Sequence, residues 1–166
     1  AIRRRIGNRS GEAIGLDNLG DSLLSFEEYQ NAKENYWQSI QISDEISFPQ
    51  TQNSARCGLA EVHLFQNDWG NARATIEAAL QYDVPDSNHN ASALHGIIAL
   101  RQGERETAQE AFTKSIAQGD EILAKTPDFY SALDAKGLAV CGLILCRGAG
   151  TAPKDAPTND IGRGDP

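Results

Sequence analysis

The sequence repeats itself at a spacing of 40 residues, and this periodicity limits the possible folds more than any other feature. Shifted by that amount, Leu19 coincides with Leu59 and Ala32 with Ala72. A third copy follows after a step of 36 residues, so that Ala72 coincides with Ala108. Within each copy the apolar and small residues recur at separations of three, four and seven, which is the spacing of one helix face. Repeats of this length predict a stacked array of helices.

Each copy contains two predicted helices joined by a short turn, because the apolar pattern breaks near its middle. The predicted helices span residues 12–25, 28–46, 51–66, 69–81, 87–101, 105–125 and 128–145. Neighbouring hairpins are needed to cover the apolar face that a single hairpin leaves exposed. We therefore expect an all-α fold, an α-solenoid of antiparallel helix hairpins with about three and a half repeats.

We expect one helical repeat domain over residues 1–146. Its predicted parts are the end of a preceding repeat at 1–8, repeats at 12–46, 51–83 and 87–125, and a final or capping helix at 128–146. Residues 147–166 are rich in Gly, Ala, Pro, Thr and Asp without an apolar period, which predicts a disordered tail. Because the sequence begins with Ala and contains no Met, we expect it to be part of a longer protein.

The order of small and large residues within a copy is specific. The first copy carries the pair Leu19-Gly20, then Tyr29 after the turn, and Ala32 and Tyr36 at helical spacing. This order resembles the tetratricopeptide repeat (TPR), and the resemblance implies a right-handed superhelix with small residues at helix crossings and large residues between hairpins. The positions assigned to repeat packing are Leu19, Gly20, Tyr29, Ala32, Tyr36, Leu59, Ala60, Trp69, Ala72, Ile76, Gly96, Ala108, Phe112 and Gly137.

A second resemblance concerns the length of the repeat and its first residues. The spacing of 40 residues and the run IRRRIGNRSGEAIGLDNLG resemble the long-repeat TPR arrays at the C-terminal end of bacterial signal-transduction ATPases of the STAND (NB-ARC) type. This resemblance implies a regulatory part of a larger signalling protein. It also implies a nucleotide-binding module outside this sequence, which contains no Gly-rich loop ending in Lys and Ser or Thr.

The first helices of TPR hairpins line a concave groove that binds a peptide or protein segment. The groove residues that helical spacing assigns here are Asp17, Asn18, Asp21, Leu24, Glu61, Leu64, Phe65, Asn90, Ile97, Arg101 and Asp134. One end of this surface is acidic, so we expect a basic or at least polar partner segment with an apolar anchor. The alternative is that these residues are ordinary solvated charges of an acidic protein. Asp17 and Asp21 argue against a clamp for a partner's C-terminal carboxylate.

The composition excludes several other classes of partner. A formal net charge of −8 argues against a nucleic-acid partner, which needs clustered positive charge. No apolar run reaches the roughly 20 residues that span a bilayer, so no membrane partner is expected. The three cysteines are an odd number, and no charged and apolar leader precedes them, so we expect a reducing, cytoplasmic location.

No residue pattern points to catalysis, a metal or a cofactor. Cys57, Cys141 and Cys146 lack metal-ligand spacing, and the three histidines form no His-Glu-x-x-His pair. We therefore expect a protein-interaction scaffold without catalytic, metal or cofactor sites. The alternative is self-association as a homodimer through residues 132–145, which are apolar on more than one face. An enzyme would need a convergent set of perturbed groups in a pocket, and the sequence indicates none.

Overall fold

A computed structural model of the chain describes residues 2–148, with side chains from residue 8 onward. This part of the chain folds into seven helices and contains no strand, so the fold is all-α. The helices are α1 (Ile2–Ser25), α2 (Tyr29–Glu45), α3 (Pro49–Phe65), α4 (Trp69–Ala79), α5 (Asn88–Arg101), α6 (Arg105–Leu123) and α7 (Tyr130–Gly148). None of these helices is long and apolar enough to cross a membrane.

The helices form two layers. The odd-numbered helices contact one another in chain order, α1 with α3, α3 with α5 and α5 with α7. The even-numbered helices α2, α4 and α6 each pack on the helices before and after them. This arrangement is an α-solenoid of helix hairpins, in which each hairpin contacts its neighbours in the sequence.

The turns inside the hairpins share one geometry. Glu27, Asn67 and Gly103 occupy equivalent positions, and each has a positive φ, at 61°, 58° and 81°. The next residue in each turn donates its N–H to a carbonyl five residues back, as Glu28 does to Leu23 at 2.9 Å. These are the features of a helix end closed by a left-handed residue, a Schellman motif. The repeat is therefore visible in the backbone as well as in the side chains.

The same cross-helix hydrogen bond closes each of the three hairpins. Ser39 and Ser115 donate to the carbonyls of Ala13 and His89, both at 2.8 Å and both across 26 residues. In the second hairpin the direction is reversed, because the side chain of Asn53 donates to the carbonyl of Ala79 at 3.0 Å across the same 26 residues. A buried carbonyl is satisfied in each case without a water molecule.

Aromatic rings fill the space between hairpins where glycines leave room. A Cβ on Gly20 would lie 2.6 Å from the Tyr36 ring, and one on Gly96 would lie 2.5 Å from the Phe112 ring. The opposite sides of these rings meet Gly58 of α3 and Gly142 of α7 even more closely. The other predicted packing positions that are fully or almost fully buried are Ala32, Leu59, Ala60, Ala72, Ile76 and Ala108, while Tyr29 and Trp69 are half-buried.

Two of the predicted packing positions are wrong. Leu19 is 48% exposed, whereas Leu59, its equivalent one copy later, packs against Ala32 and Tyr36 of α2. Within the described residues no helix precedes α1 to cover Leu19 in the same way. Gly137 is also exposed, and a Cβ added there would meet nothing within 4 Å; the glycine of α7 that lies beside Phe112 is Gly142. The reason is that residues 124–129 connect α6 to α7 outside either helix and lengthen the last step of the repeat.

The predicted ends of the array also differ from the structure. Residues 2–8 do not end a separate helix, because α1 runs without a break from Ile2 to Ser25. Gly in a helix interior costs roughly 1 kcal/mol, and contacts of α1 with α2, including the ion pair of Arg9 with Glu45, favour the continuous helix. At the other end, α7 includes Arg147 and Gly148, which were assigned to the tail. The rest of the predicted tail, 149–166, lies outside the described residues.

Candidate functional site

The odd-numbered helices enclose a concave cavity of about 480 Å³. We call this cavity the groove. Residues from α1, α3, α5 and α7 all contribute to it, together with Ser87 at the start of α5. Its lining consists of Asp21, Asn53, Ser54, Cys57, Gly58, Glu61, Leu64, Phe65, Ser87, Asn90, Ala93, Leu94, Ile97, Asp134, Ala135 and Leu138. The cavity thus joins all the hairpins of the described part of the chain.

Seven of the eleven residues assigned to the groove from the sequence line this cavity, namely Asp21, Glu61, Leu64, Phe65, Asn90, Ile97 and Asp134. The other four lie elsewhere. Asp17 is buried behind the wall, Asn18 and Arg101 are exposed outside the cavity, and Leu24 packs against the core cluster around Tyr36. Helical spacing alone cannot separate these positions, because neighbouring helices cover part of the face that it selects.

Sequence reasoning missed several lining residues. Asn53 and Cys57 precede Glu61 by eight and four positions, so they lie on the same face of α3 and could have been found from that spacing. Ala135 and Leu138 were missed because the face that α7 turns toward the cavity depends on the connector at 124–129. No simple sequence signal gives that orientation.

One side of the groove is apolar. Leu64, Leu94 and Ile97 pack with the central core cluster and reach the cavity from α3 and α5. Phe65 is 57% exposed, and its ring stacks on Tyr29 with the centroids 6.0 Å apart. Leu138 of α7 adds a further exposed apolar side chain. This side offers a partner apolar surface that is still in contact with water.

The other side of the groove is acidic and well ordered by hydrogen bonds. The Tyr36 hydroxyl donates to Asp21 Oδ1 at 2.7 Å, and burial together with this hydrogen bond raises the pKa of Tyr36 above its ordinary value. The Ser54 hydroxyl donates to Asp17 Oδ2 at 2.5 Å. The second oxygen, Asp17 Oδ1, is buried and has no hydrogen-bond partner within the described residues.

Burial raises the pKa of three side chains in this part of the molecule. It raises the pKa of Glu61 to about 7 and that of Asp17 to about 6, and the negative charge of Asp21 adds to both shifts. The thiol of Cys57 is affected in the same sense, and burial raises its pKa to about 12. A thiol with so high a pKa is a poor nucleophile at neutral pH. Among the described residues, no Lys, Arg or His lines the groove.

A polar contact fixes α7 against α5 at the edge of the groove. Asn90 donates to the Ser131 hydroxyl at 2.8 Å, and His89 Nε2 lies 3.1 Å from the same oxygen. His89 is fully buried, and burial lowers its pKa, so this imidazole is neutral near pH 7. The contact sets the position of Asp134 and Leu138, one and two turns further along α7.

Comparison with solved structures identifies the architecture. A structure described as "Crystal structure of YrrB: a TPR protein with an unusual peptide-binding site" matches 89% of this chain and 93% of its own, with a TM-score of 0.50. The described residues share its fold, a TPR-like solenoid of helix hairpins. The two sequences are 15% identical, so the likeness concerns the fold. No family model matches the sequence, and no curated protein matches it.

Proposed function

We propose that this TPR-like array is a protein-interaction scaffold that binds a segment of a partner protein in the groove. The observation that carries the proposal is the convergence of all four odd-numbered helices on one concave cavity. Its volume, about 480 Å³, lies within the range of natural ligand sites. The solved TPR structure with a similar fold is described as having a peptide-binding site, which supports the same use of the fold here.

The charges and apolar residues of the groove favour a particular kind of segment. Asp21, Glu61 and Asp134 are acidic residues, and no positive side chain among the described residues lines the cavity. A basic segment complements this surface, and an acidic one would be repelled. Phe65 and Leu138 provide the site for an apolar anchor residue of the same segment. Binding of this kind needs no catalytic residue.

The cellular setting that we propose is a regulatory part of a larger cytoplasmic signalling protein. The support for it is the resemblance of the repeat length and of the first residues to the arrays of STAND-type ATPases. In such a setting the bound segment belongs to another protein or to another region of the same one.

Selection from a displayed library of random dodecapeptides tests the binding function. We expect the chain to select segments that combine a basic residue with an apolar one. The Phe65→Ala variant should bind the selected peptides about tenfold more weakly, because the loss of an exposed apolar contact at a binding site costs about 1 to 2 kcal/mol.

Trp37→Ala is the matched control, since Trp37 is a half-exposed aromatic residue of α2 that does not line the groove. This variant should bind the selected peptides as the parent chain does. Peptides whose binding is equally sensitive to both variants, or to neither, would contradict the proposed site.

Self-association through α7 is a second candidate function. Leu133, Val140 and Ile144 are exposed on one side of this helix, and Leu145 is exposed on the neighbouring face. In an antiparallel pair of α7 helices centred between Val140 and Cys141, Ile144 of each copy would face the open position of Gly137 in the other. A second copy is therefore the occupant that this face fits best.

Sedimentation equilibrium tests the pairing. We expect a dimer at high concentration that the variant Ile144→Asp returns to a monomer, because it would bury an unpaired charge at the contact. Phe26→Asp, which changes an exposed apolar residue in a turn, is the control. A chain that stays monomeric at millimolar concentration would exclude this candidate.

A further inference from the structure

Three acidic side chains lie on α1 and α3 at the groove. Asp21 of α1 and Glu61 of α3 line the same cavity, and Asp17 is one turn before Asp21 on α1. The charge of Asp21 acts on both of the other carboxyls, as the raised pKa of each indicates. The remaining titratable groups that face this cluster are Tyr36 of α2, Cys57 of α3 and, across the groove, Asp134 of α7. All of them are neutral or negative.

Asp17 supplies an independent observation that points to a ligand. Its side chain is 8% exposed, and Oδ1 lacks a hydrogen-bond partner in the part of the chain that the structure describes. A buried oxygen without a donor destabilises a fold by the full cost of its desolvation. The other oxygen is bound to Ser54, which lines the groove, so the carboxyl lies directly behind the groove wall. A donor that enters the groove is the group that this oxygen lacks.

Resting on the proposed function, we propose that Asp17, Asp21 and Glu61 form a subsite for one lysine or arginine side chain of the bound segment. The cationic group donates hydrogen bonds to the carboxylates, among them the free oxygen of Asp17. Each carboxyl that ionises releases its proton to the solvent, so charge balances as the cation enters.

The groove also fits the stem of such a side chain. Leu64, Leu94 and Ile97 line the same cavity as Asp21 and Glu61 and supply apolar surface there. Long basic side chains place their methylene groups on apolar surface and direct the charged end to polar groups. A single lysine thus uses both sides of the groove, and an isosteric neutral side chain uses only one.

The probe for this subsite is n-butylammonium, which reproduces the lysine side chain without a peptide. The carboxyl carbons of the ¹³C-labelled chain are followed by NMR against probe concentration at pH 5.5 and at pH 7.5. We expect the probe to shift the resonances of Asp17, Asp21 and Glu61, and its affinity to be about tenfold higher at pH 7.5 because fewer protons must leave. Tetramethylammonium chloride at equal concentration corrects for ionic strength, and n-butanol for the apolar stem.

Variants assign the effect to the cluster. Glu61→Gln and, separately, Asp17→Asn should each weaken n-butylammonium binding at pH 7.5 about tenfold and reduce its pH dependence. Asp128→Asn, which removes an exposed carboxylate far along the chain in the connector before α7, should change neither. Having two independent variants keeps the test valid if one of them folds poorly.

Two results would overturn the subsite. One is an n-butylammonium effect on the three carboxyls no larger than that of tetramethylammonium. The other is an affinity that does not change with pH. Failure of the subsite is separable from failure of the groove: selected peptides that bind equally well with norleucine in place of lysine, and still depend on Phe65, would retain the groove as a peptide site without a cation subsite.

Discussion

The first and second hairpins fill equivalent spaces between their helices with side chains of different size. In the first, Tyr36 occupies the space left open by Gly20 and Gly58. In the second, the equivalent residue is Ile76, which packs in a core cluster where the two glycines are replaced by larger residues, among them Leu94. Because protein interiors are close-packed, a smaller residue on one helix requires larger ones on the helices beside it. The repeat therefore keeps the total volume and lets the individual residues vary.

The third hairpin is packed like the first, with an aromatic ring between two glycines, and the two rings differ in polarity. Phe112 lies between Gly96 and Gly142, as Tyr36 does between its own glycines. Phe112 has no hydroxyl, whereas the Tyr36 hydroxyl binds Asp21 on the acidic side of the groove. The contact between an aromatic hydroxyl and a groove carboxylate therefore belongs to the layer around Tyr36 (the tyrosine layer), whereas Phe112 packs in an apolar cluster with Ala99, Ala108 and Ala139.

Removal of an aromatic ring should have the largest effect. Phe112→Ala leaves a cavity between two glycines that have no side chain to fill it, so we expect a loss of about 3 to 5 kcal/mol. Ile76→Ala should cost less, about 2 to 4 kcal/mol, because the larger residues around it can relax into the space. Urea denaturation followed by circular dichroism measures both values. Equal losses of stability in the two variants would contradict the proposed difference between the packing around Phe112 and the packing around Ile76.

A methyl group added beside a ring should have the next largest effect. Gly96→Ala places its Cβ 2.5 Å from the Phe112 ring, and such overpacking costs about 1 to 3 kcal/mol. Gly15→Ala is the matched control, because Gly15 lies on an exposed helix surface with nothing within 4 Å, and Ala there should stabilise by roughly 0.5 to 1 kcal/mol.

The double variant Gly96→Ala with Phe112→Ile sharpens the comparison, since it gives the third hairpin the packing of the second. We expect it to be more stable than the sum of its single changes predicts, by about 1 kcal/mol or more. If the stability changes of the two single variants simply add in the double variant, the side chains at the two positions do not compete for the same space.

The polar difference between the layers predicts a dependence on pH. Between pH 4.5, the ordinary pKa of Glu, and about 7, its pKa here, the folded protein holds a proton on Glu61 that the unfolded chain has released. The contribution of Glu61 to the free energy of unfolding should therefore fall as the pH rises through this window. Glu61→Gln should remove part of this fall and stabilise the protein at pH 8 by about 2 kcal/mol.

Thermal unfolding from pH 4 to pH 8 measures this change. Asp128→Asn, in which the changed carboxylate is exposed and lies outside the tyrosine layer, should follow the parent chain at every pH. A Glu61→Gln variant whose stability falls between pH 5 and pH 7 as steeply as that of the parent chain, or more steeply, would contradict the sign that we assign to Glu61.

The smallest expected effect concerns the equivalent turns of the first and third hairpins. Glu27 and Gly103 both have a positive φ, a conformation that glycine adopts without strain and glutamate does not. Glu27→Gly should stabilise the chain by about 0.5 to 1 kcal/mol, and Gly103→Ala should destabilise it by about 1 kcal/mol. The same urea titrations detect both changes, and destabilisation by Glu27→Gly would show that its side chain has a role beyond the turn.

The sequence predicts the fold well because periodicity records the packed faces directly. It places Tyr36, Ile76 and Phe112 at equivalent positions, and the structure buries all three. Prediction from the sequence fails where a neighbouring helix or connector determines which residues are buried. Leu19 has the residue type of a packing position but lacks a preceding helix in the described chain, and the face that α7 turns inward depends on the length of a connector.

For the groove, helical spacing identifies most of the acidic and apolar lining residues. It does not predict how deeply each side chain is buried. Asp17 and Asp21 are indistinguishable in the sequence, since both are acidic residues on one face of a helix. In the structure Asp17 is buried and Asp21 is exposed. The difference arises because Ser54 and the rest of α3 pack over the first and leave the second open, and that contact spans 37 residues.

The hydrogen bond that closes each hairpin across 26 residues has a mechanical consequence. Each hairpin has its own buried hydrogen bond between its two helices. Under tension applied at its ends, the array should lengthen in discrete jumps, one hairpin at a time. A hairpin of 36 to 40 residues releases roughly 130 Å of extended chain per jump. Under tension the array should therefore adopt a few defined lengths.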